Sequence, residues 1–242
     1  MENLETLSWI DLAAQALGLR APLQVEHVLM TWVVVVLLIV PAFLATRGMR
    51  EVPGPLQNIL EFLVETLQGF LEATIGPKGP KYLPLIGSLT LFILGCNLLG
   101  LVPGFKSPTN NLNTTVACAL VVFFSTHIIG IREQGLLRYL RHFTGPVWWL
   151  APIMVPIEII GHLARPVSLS VRLFGNIFGE DTVLLILLSL VPFLIPLPMM
   201  LLAIFTSFVQ TFVFIMLSMI YIAGAGEPHP EEALATAPER KE

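Results

Sequence analysis

Residues 182–226 read TVLLILLSLVPFLIPLPMMLLAIFTSFVQTFVFIMLSMIYIAGAG, without a charged residue from end to end. A membrane span needs about 20 apolar residues at 1.5 Å rise each, so this run is too long for one crossing. Pro192, Pro196 and Pro198 mark where the chain turns back, and 199–223 reads as the last span. Working outward, 28–46, 82–102 and 114–131 have the same character, and the chain turns apolar again at Pro146. The sequence therefore predicts an all-α, polytopic membrane protein of five to six transmembrane or strongly tilted helices.

Composition agrees. Of 242 residues 55% are hydrophobic and only 12% charged, with a mean hydropathy of +0.80. Soluble domains carry about 25% charged residues, so too little polar material is present to cover a water-facing surface, and a soluble enzyme is excluded. The net charge of −4, from 13 basic and 17 acidic residues, argues against a nucleic-acid partner. Cys96 and Cys118 both sit in apolar runs and form no disulfide framework. Glu2, Glu5 and Asp11 stand where a signal peptide would be basic, so none is expected.

Lysine and arginine set the orientation. Arg47, Arg50, Lys78 and Lys81 follow the first span, only Lys106 follows the second, and Arg132, Arg138 and Arg141 follow the third. The tail carries Arg240 and Lys241. This alternation puts the N-terminus outside and the C-terminus in the cytoplasm. The expected organisation is one membrane domain over 1–242: an outer segment 1–26, a helical bundle 27–226 and a polar cytoplasmic tail 227–242.

Within the first cytoplasmic loop, Leu56, Ile59, Leu60, Leu63, Leu67 and Phe70 recur at helical spacing, with Gln57, Glu61, Glu65, Gln68 and Glu72 between them. An interfacial amphipathic helix in the headgroup plane fits this pattern. A helix packed under neighbouring spans fits it equally. No internal repeat is visible, which weakens a transporter built on repeats.

The chemistry lies in 152–182, PIMVPIEIIGHLARPVSLSVRLFGNIFGEDT. An arginine at bilayer depth costs about 2.5–3.5 kcal/mol on insertion scales, so such residues face a partner or a water-lined path. At about 100° per residue, Glu158, His162, Arg165, Arg172, Asn176 and Glu180 fall on one stripe, and Asp181 falls nearly opposite. The charges could simply neutralise one another in a buried ladder. A ladder of both signs with an imidazole, running through a membrane helix, favours a proton or ion path. Glu158 and His162 lack an evident third ligand, so no metal is expected. His127 reads as a satisfied core histidine, and His142 with Trp148 and Trp149 as an interfacial belt.

The run Pro166-Val167-Ser168-Leu169-Ser170-Val171-Arg172-Leu173-Phe174-Gly175-Asn176 resembles the signature of subunit a of rotary F-type ATP synthases. The resemblance extends to Glu158, fourteen residues before the arginine, to the segment from Pro108-Thr109 to Asn113, and to Gln210-Thr211-Phe212. It implies that the last two elements are long, tilted helices curving along a ring of c subunits. It implies an ion-conducting stator with no catalytic centre and no cofactor, in the bacterial inner membrane. The implied partners are the c-subunit ring, the b subunits of the peripheral stalk, the rest of the ATP synthase and the lipid bilayer, with no nucleic acid.

Carried over by position, Arg172 resembles the family's essential arginine. Asn176, Asp181 and Gln210 resemble positions of an outer half-channel, and Glu158 and Ser168 positions of an inner one. His162 joins the path through the stripe. Arginine plus nine selects Asp181 as the outer relay, whereas the stripe selects Glu180. Two positions depart from the family's pattern: a frequent aspartate is Asn111 here, and a histidine of some members, seven residues before Gln210, is Ala203. A self-contained transporter or channel, and an intramembrane hydrolase, are the rival classes. The first would transport alone, and the second needs a nucleophile or metal set that is not found.

Overall fold

A computed structural model describes residues 26–47, 49, 53–102, 104–136, 139, 151–190 and 196–226. The outer segment, the tail, His142, Trp148, Trp149, Arg138, Arg141 and the turn at Pro192 lie outside the described residues. Six α-helices, and no strand, make up the described part: α1 (Glu26–Thr46), α2 (Pro55–Ile75), α3 (Leu83–Leu99), α4 (Leu112–Gln134), α5 (Ala151–Leu190) and α6 (Pro196–Gly226). All but α2 are long and apolar enough to cross a membrane.

Length separates α5 and α6 from the rest. At 1.5 Å per residue the 40 residues of α5 extend about 60 Å, twice the hydrocarbon thickness of a bilayer. An apolar helix of that length cannot stand upright, so it has to incline. Pro156 and Pro166 lie inside it. Each removes an N–H donor, so the carbonyls of Pro152 and His162 lose their helical partner.

α2 answers the question left open by its pattern. Gly54 precedes Pro55 at the start, and Gln57–Glu61 and Gln68–Glu72 pair one turn apart. Its second half buries Leu67 and Leu71 against neighbouring helices, and Phe70 meets Phe212 of α6 edge to face at 5.6 Å. Its first half leaves Leu56, Ile59 and Phe62 exposed. One end is packed under the bundle and the other is not.

Two buried clusters tie the bundle together. Leu89, Ile93, Cys118, Ala119, Val122, Leu169, Leu173 and Phe214 join α3, α4, α5 and α6. Leu71, Tyr82, Ile86, Ile215, Met219 and Ile222 join α2, α3 and α6. Lipid is as apolar as leucine, so close packing rather than water exclusion holds such helices together. Gly130 shows this: a β-carbon there would collide with the Tyr139 ring. Cys96 and Cys118 are buried and unbridged. At the α3 start, Lys78 and Lys81 both grip Glu133 of α4, at 3.0 and 2.9 Å.

Candidate functional site

The stripe read along α5 does not meet one environment. Neighbouring helices cross α5 at different points, so its polar residues divide into three groups. His162 is buried at 8% exposure, Arg172 is exposed, and Glu180 and Asp181 are half-buried.

The first group sits where the N-terminal half of α5 meets the C-terminal ends of α4 and α6. Glu158 Oε1 lies 3.3 Å from His162 Nε2, one turn along the helix. The His162 ring stands edge-on to His127 of α4 at 5.2 Å, and Arg165 lies over the Tyr221 ring of α6 at 5.1 Å. A cavity of about 240 Å³ opens here, lined by Gln134, Tyr139, His162, Arg165, Tyr221 and Ala225 among others. His127 is half-buried rather than in the core, with a 2.8 Å contact between Nδ1 and the Phe123 carbonyl. It also lines a small void of about 10 Å³ that reaches His162 and Arg165.

The third group sits at the opposite end. Here the C-terminus of α3, Ser107 just before the short 3-10 turn Pro108–Asn110, the second half of α5 and the start of α6 line a cavity of about 30 Å³. Asn97, Ser107, Glu180, Asp181, Met199 and Ala203 are in its wall. The Asn110 amide donates to Asp181 Oδ2 at 2.7 Å, across 71 residues of sequence. Beside it runs a buried polar chain: Ser107 donates to the Cys96 carbonyl at 2.9 Å, its hydroxyl lies 2.6 Å from that of Thr109, and Thr109 donates to Asn97 Oδ1 at 2.8 Å. Ala203, where some relatives of the signature carry histidine, lies in the same wall as Glu180.

Between the two cavities the polar chemistry narrows to two features. Asn176 of α5 donates to Gln210 of α6, which is only 3% exposed. Arg172 points out of the bundle, and among the described residues no carboxylate lies in ion-pair range of it. Behind Arg172, Leu169, Leu173 and Phe214 are packed into the core. About 15 Å of helix separates Arg172 from His162, and about 14 Å separates it from Asp181.

Of the residues expected from sequence, the structure brings together Glu158 with His162, Asn176 with Gln210, and Glu180 with Asp181 on one cavity wall. Ser168 is exposed and lines neither cavity. The wheel puts Glu180 on the stripe and Asp181 about 100° round from it, yet both reach one cavity, because a concave junction of helices collects side chains from a wide arc. Asn111 is the N-cap of α4, its Oδ1 accepting from the Asn113 N–H at 2.9 Å. Asn97, Asn110, Thr109 and Tyr221 went unassigned in the sequence. Only the segment opening with Pro108-Thr109 carried any signal.

Known proteins match closely. The family model described as ATP synthase A chain matches residues 28–223. The chain is 56% identical to ATP synthase subunit a 2 of Syntrophotalea carbinolica over 84% of this chain and 86% of that one. It is 54% identical to ATP synthase subunit a of Geobacter sulfurreducens, over 81% and 86%. It is 52% identical to ATP synthase subunit a of Trichlorobacter lovleyi, over 83% and 86%.

Proposed function

The chain belongs to the ATP synthase A chain family, proton-channel stator subunits without a catalytic centre of their own, and we propose that its two cavities are half-channels kept apart by Arg172. As a member it is a membrane protein that works in a complex with other ATP synthase subunits. One observation supports the finer reading most: an exposed arginine lies between two cavities along α5, each with polar side chains in its wall, with apolar packing behind it.

The exposed side of α5 around Arg172 would face the c-subunit ring. A guanidinium stays protonated at any working pH. Set against a rotor carboxylate, it favours the ionised form and so drives release of the proton that the carboxylate carried. It also repels a proton moving directly between the cavities. Asp181, Glu180, Asn176 and Gln210 would serve the outer path and Glu158 and His162 the inner one, with Ser168 on the exposed face outside the cavity. The b subunits of the peripheral stalk would hold the subunit still against the turning ring.

The basic residues support a chain in the bacterial inner membrane with its N-terminus outside and its C-terminus in the cytoplasm. Reporter fusions after residue 50 and at the C-terminus should then report cytoplasm, and fusions near Lys106 the exterior. An external C-terminus would overturn this orientation.

Arg172→Ala tests the mechanism. The complex should assemble and ATP-driven proton pumping should vanish. Arg172→Lys should also largely fail, because an ammonium keeps the charge but loses the planar fork and deprotonates more readily when desolvated. Normal pumping in both variants would remove the arginine from the centre of the mechanism.

A further inference from the structure

Two buried polar atoms of the smaller cavity have no partner among the described residues: Asn97 Nδ2 and Glu180 Oε1. Asn97 is only 2% exposed, and both residues stand in the same cavity wall. Thr109 occupies Asn97 Oδ1, so the amide is held in place and its nitrogen is the end left to face the cavity. One atom is a donor and the other an acceptor. The cavity volume of about 30 Å³ exceeds the roughly 10–15 Å³ that one water needs, and a buried water takes two to four polar partners.

From this arrangement we infer that Asn97 and Glu180 hold a water between them, and that Asn97 is a positioning residue for proton exchange at Glu180. The Asn97 N–H donates to the water oxygen, and the water donates to Glu180 Oε1. A proton arriving on the water oxygen makes it hydronium, which passes one proton to the carboxylate along that second bond and returns to neutral water. Asp181 shares the wall, and Asn110 holds its Oδ2, which leaves the two carboxylates fixed on different partners. The buried chain through Thr109 and Ser107 to the Cys96 carbonyl then has a purpose: it sets the angle of the Asn97 amide. The inference rests on the reading of this cavity as the outer half-channel.

The test uses the assembled holoenzyme in inverted vesicles, with ATP-driven pumping and passive proton conduction both measured. Asn97→Leu fills the cavity and removes the donor, while Thr109 retains its Ser107 neighbour. It should lower both rates about tenfold. Asn97→Ser keeps a hydroxyl and makes room for water, and should lose only about twofold. A packing role would give the opposite order, since serine opens a void that leucine fills. Asn97→Leu combined with Glu180→Gln should be no worse than Glu180→Gln alone.

Normal pumping in Asn97→Leu while Glu180→Gln or Asp181→Asn is impaired would overturn the water site and leave the half-channel reading standing. Normal pumping in all three would bring down that reading and the water site with it. Independent, multiplying losses in the double variant would also overturn the inference. Should Asn97→Leu fail to assemble, the wild-type holoenzyme decides by its density map. A water within hydrogen-bond distance of both atoms supports the site, and its absence where other buried waters are resolved rejects it.

Discussion

The two cavities along α5 are built from opposite materials. The one near Asn97 is small, about 30 Å³, and its ionisable groups are the carboxylates Glu180 and Asp181 set among amides and hydroxyls. The one near Tyr221 is about 240 Å³ and is lined by Arg165, His162 and tyrosine rings, with Glu158 outside the wall and 3.3 Å from His162. A tight site with fixed partners leaves a proton one route. A roomy one admits several waters and several routes. The narrow site should therefore depend sharply on single side chains, and the roomy one should tolerate losses.

The largest effect within this comparison is expected at Asp181. It accepts from the amide of Asn110 in the 3-10 turn and lies with Glu180 in the narrow cavity. Asp181→Asn should cut ATP-driven pumping by a hundredfold or so, about the lower end for loss of a positioned acid–base group. Glu180→Gln should cost less, and the double variant the most. Measured pumping after a check of assembly settles the order. A silent Asp181→Asn beside a dead Glu180→Gln would show that the stripe on α5, not the spacing from Arg172, was the better guide.

An intermediate effect is expected across the bundle. Glu158→Gln should lower pumping only about threefold, because the larger cavity keeps other water routes to the centre of α5. His162→Gln removes an imidazole packed between Glu158 and His127, and should act in the same range. Losses as deep as that of Asp181→Asn would break the contrast, and the volume of the inner cavity would then say nothing about how many routes it offers.

Much of this could be read before any coordinates existed, and the limit is physical. Spans and the amphipathic α2 follow from periodicity, which is local. The polar residues of α5 follow from one helical wheel, so Glu158, His162, Arg172 and Glu180 were all visible. What a wheel does not contain is the neighbour. Asn110 is 71 residues from Asp181, and Thr109 reaches Asn97 from a turn that follows the helix carrying it. Those contacts depend on how α3, α5 and the 3-10 turn converge. The same convergence brings Glu180 and Asp181 to one cavity although they stand about 100° apart on the wheel. His127 reads from sequence as a core residue, yet it is half-buried, and its approach to His162 depends on the α4–α5 crossing.

The smallest effect is expected at Asn111, which is not in the wall of the narrow cavity. Where the family signature often places an aspartate, this chain has an asparagine whose side chain caps α4 by accepting the Asn113 N–H. Aspartate and asparagine cap about equally well, whereas alanine costs about 1 kcal/mol. Asn111→Ala should therefore lower the thermal stability of the assembled complex slightly, with pumping reduced no more than about twofold through a looser Pro108–Asn110 turn. Asn111→Asp should preserve the cap, and a negative charge near a helix N-terminus is favourable in itself. Its pumping should stay at the wild-type rate, because the carboxylates that face the cavity are Glu180 and Asp181. A marked rise in pumping with Asn111→Asp at unchanged stability would show that this position gathers protons after all. The outer site would then begin at the cap of α4 rather than at the cavity.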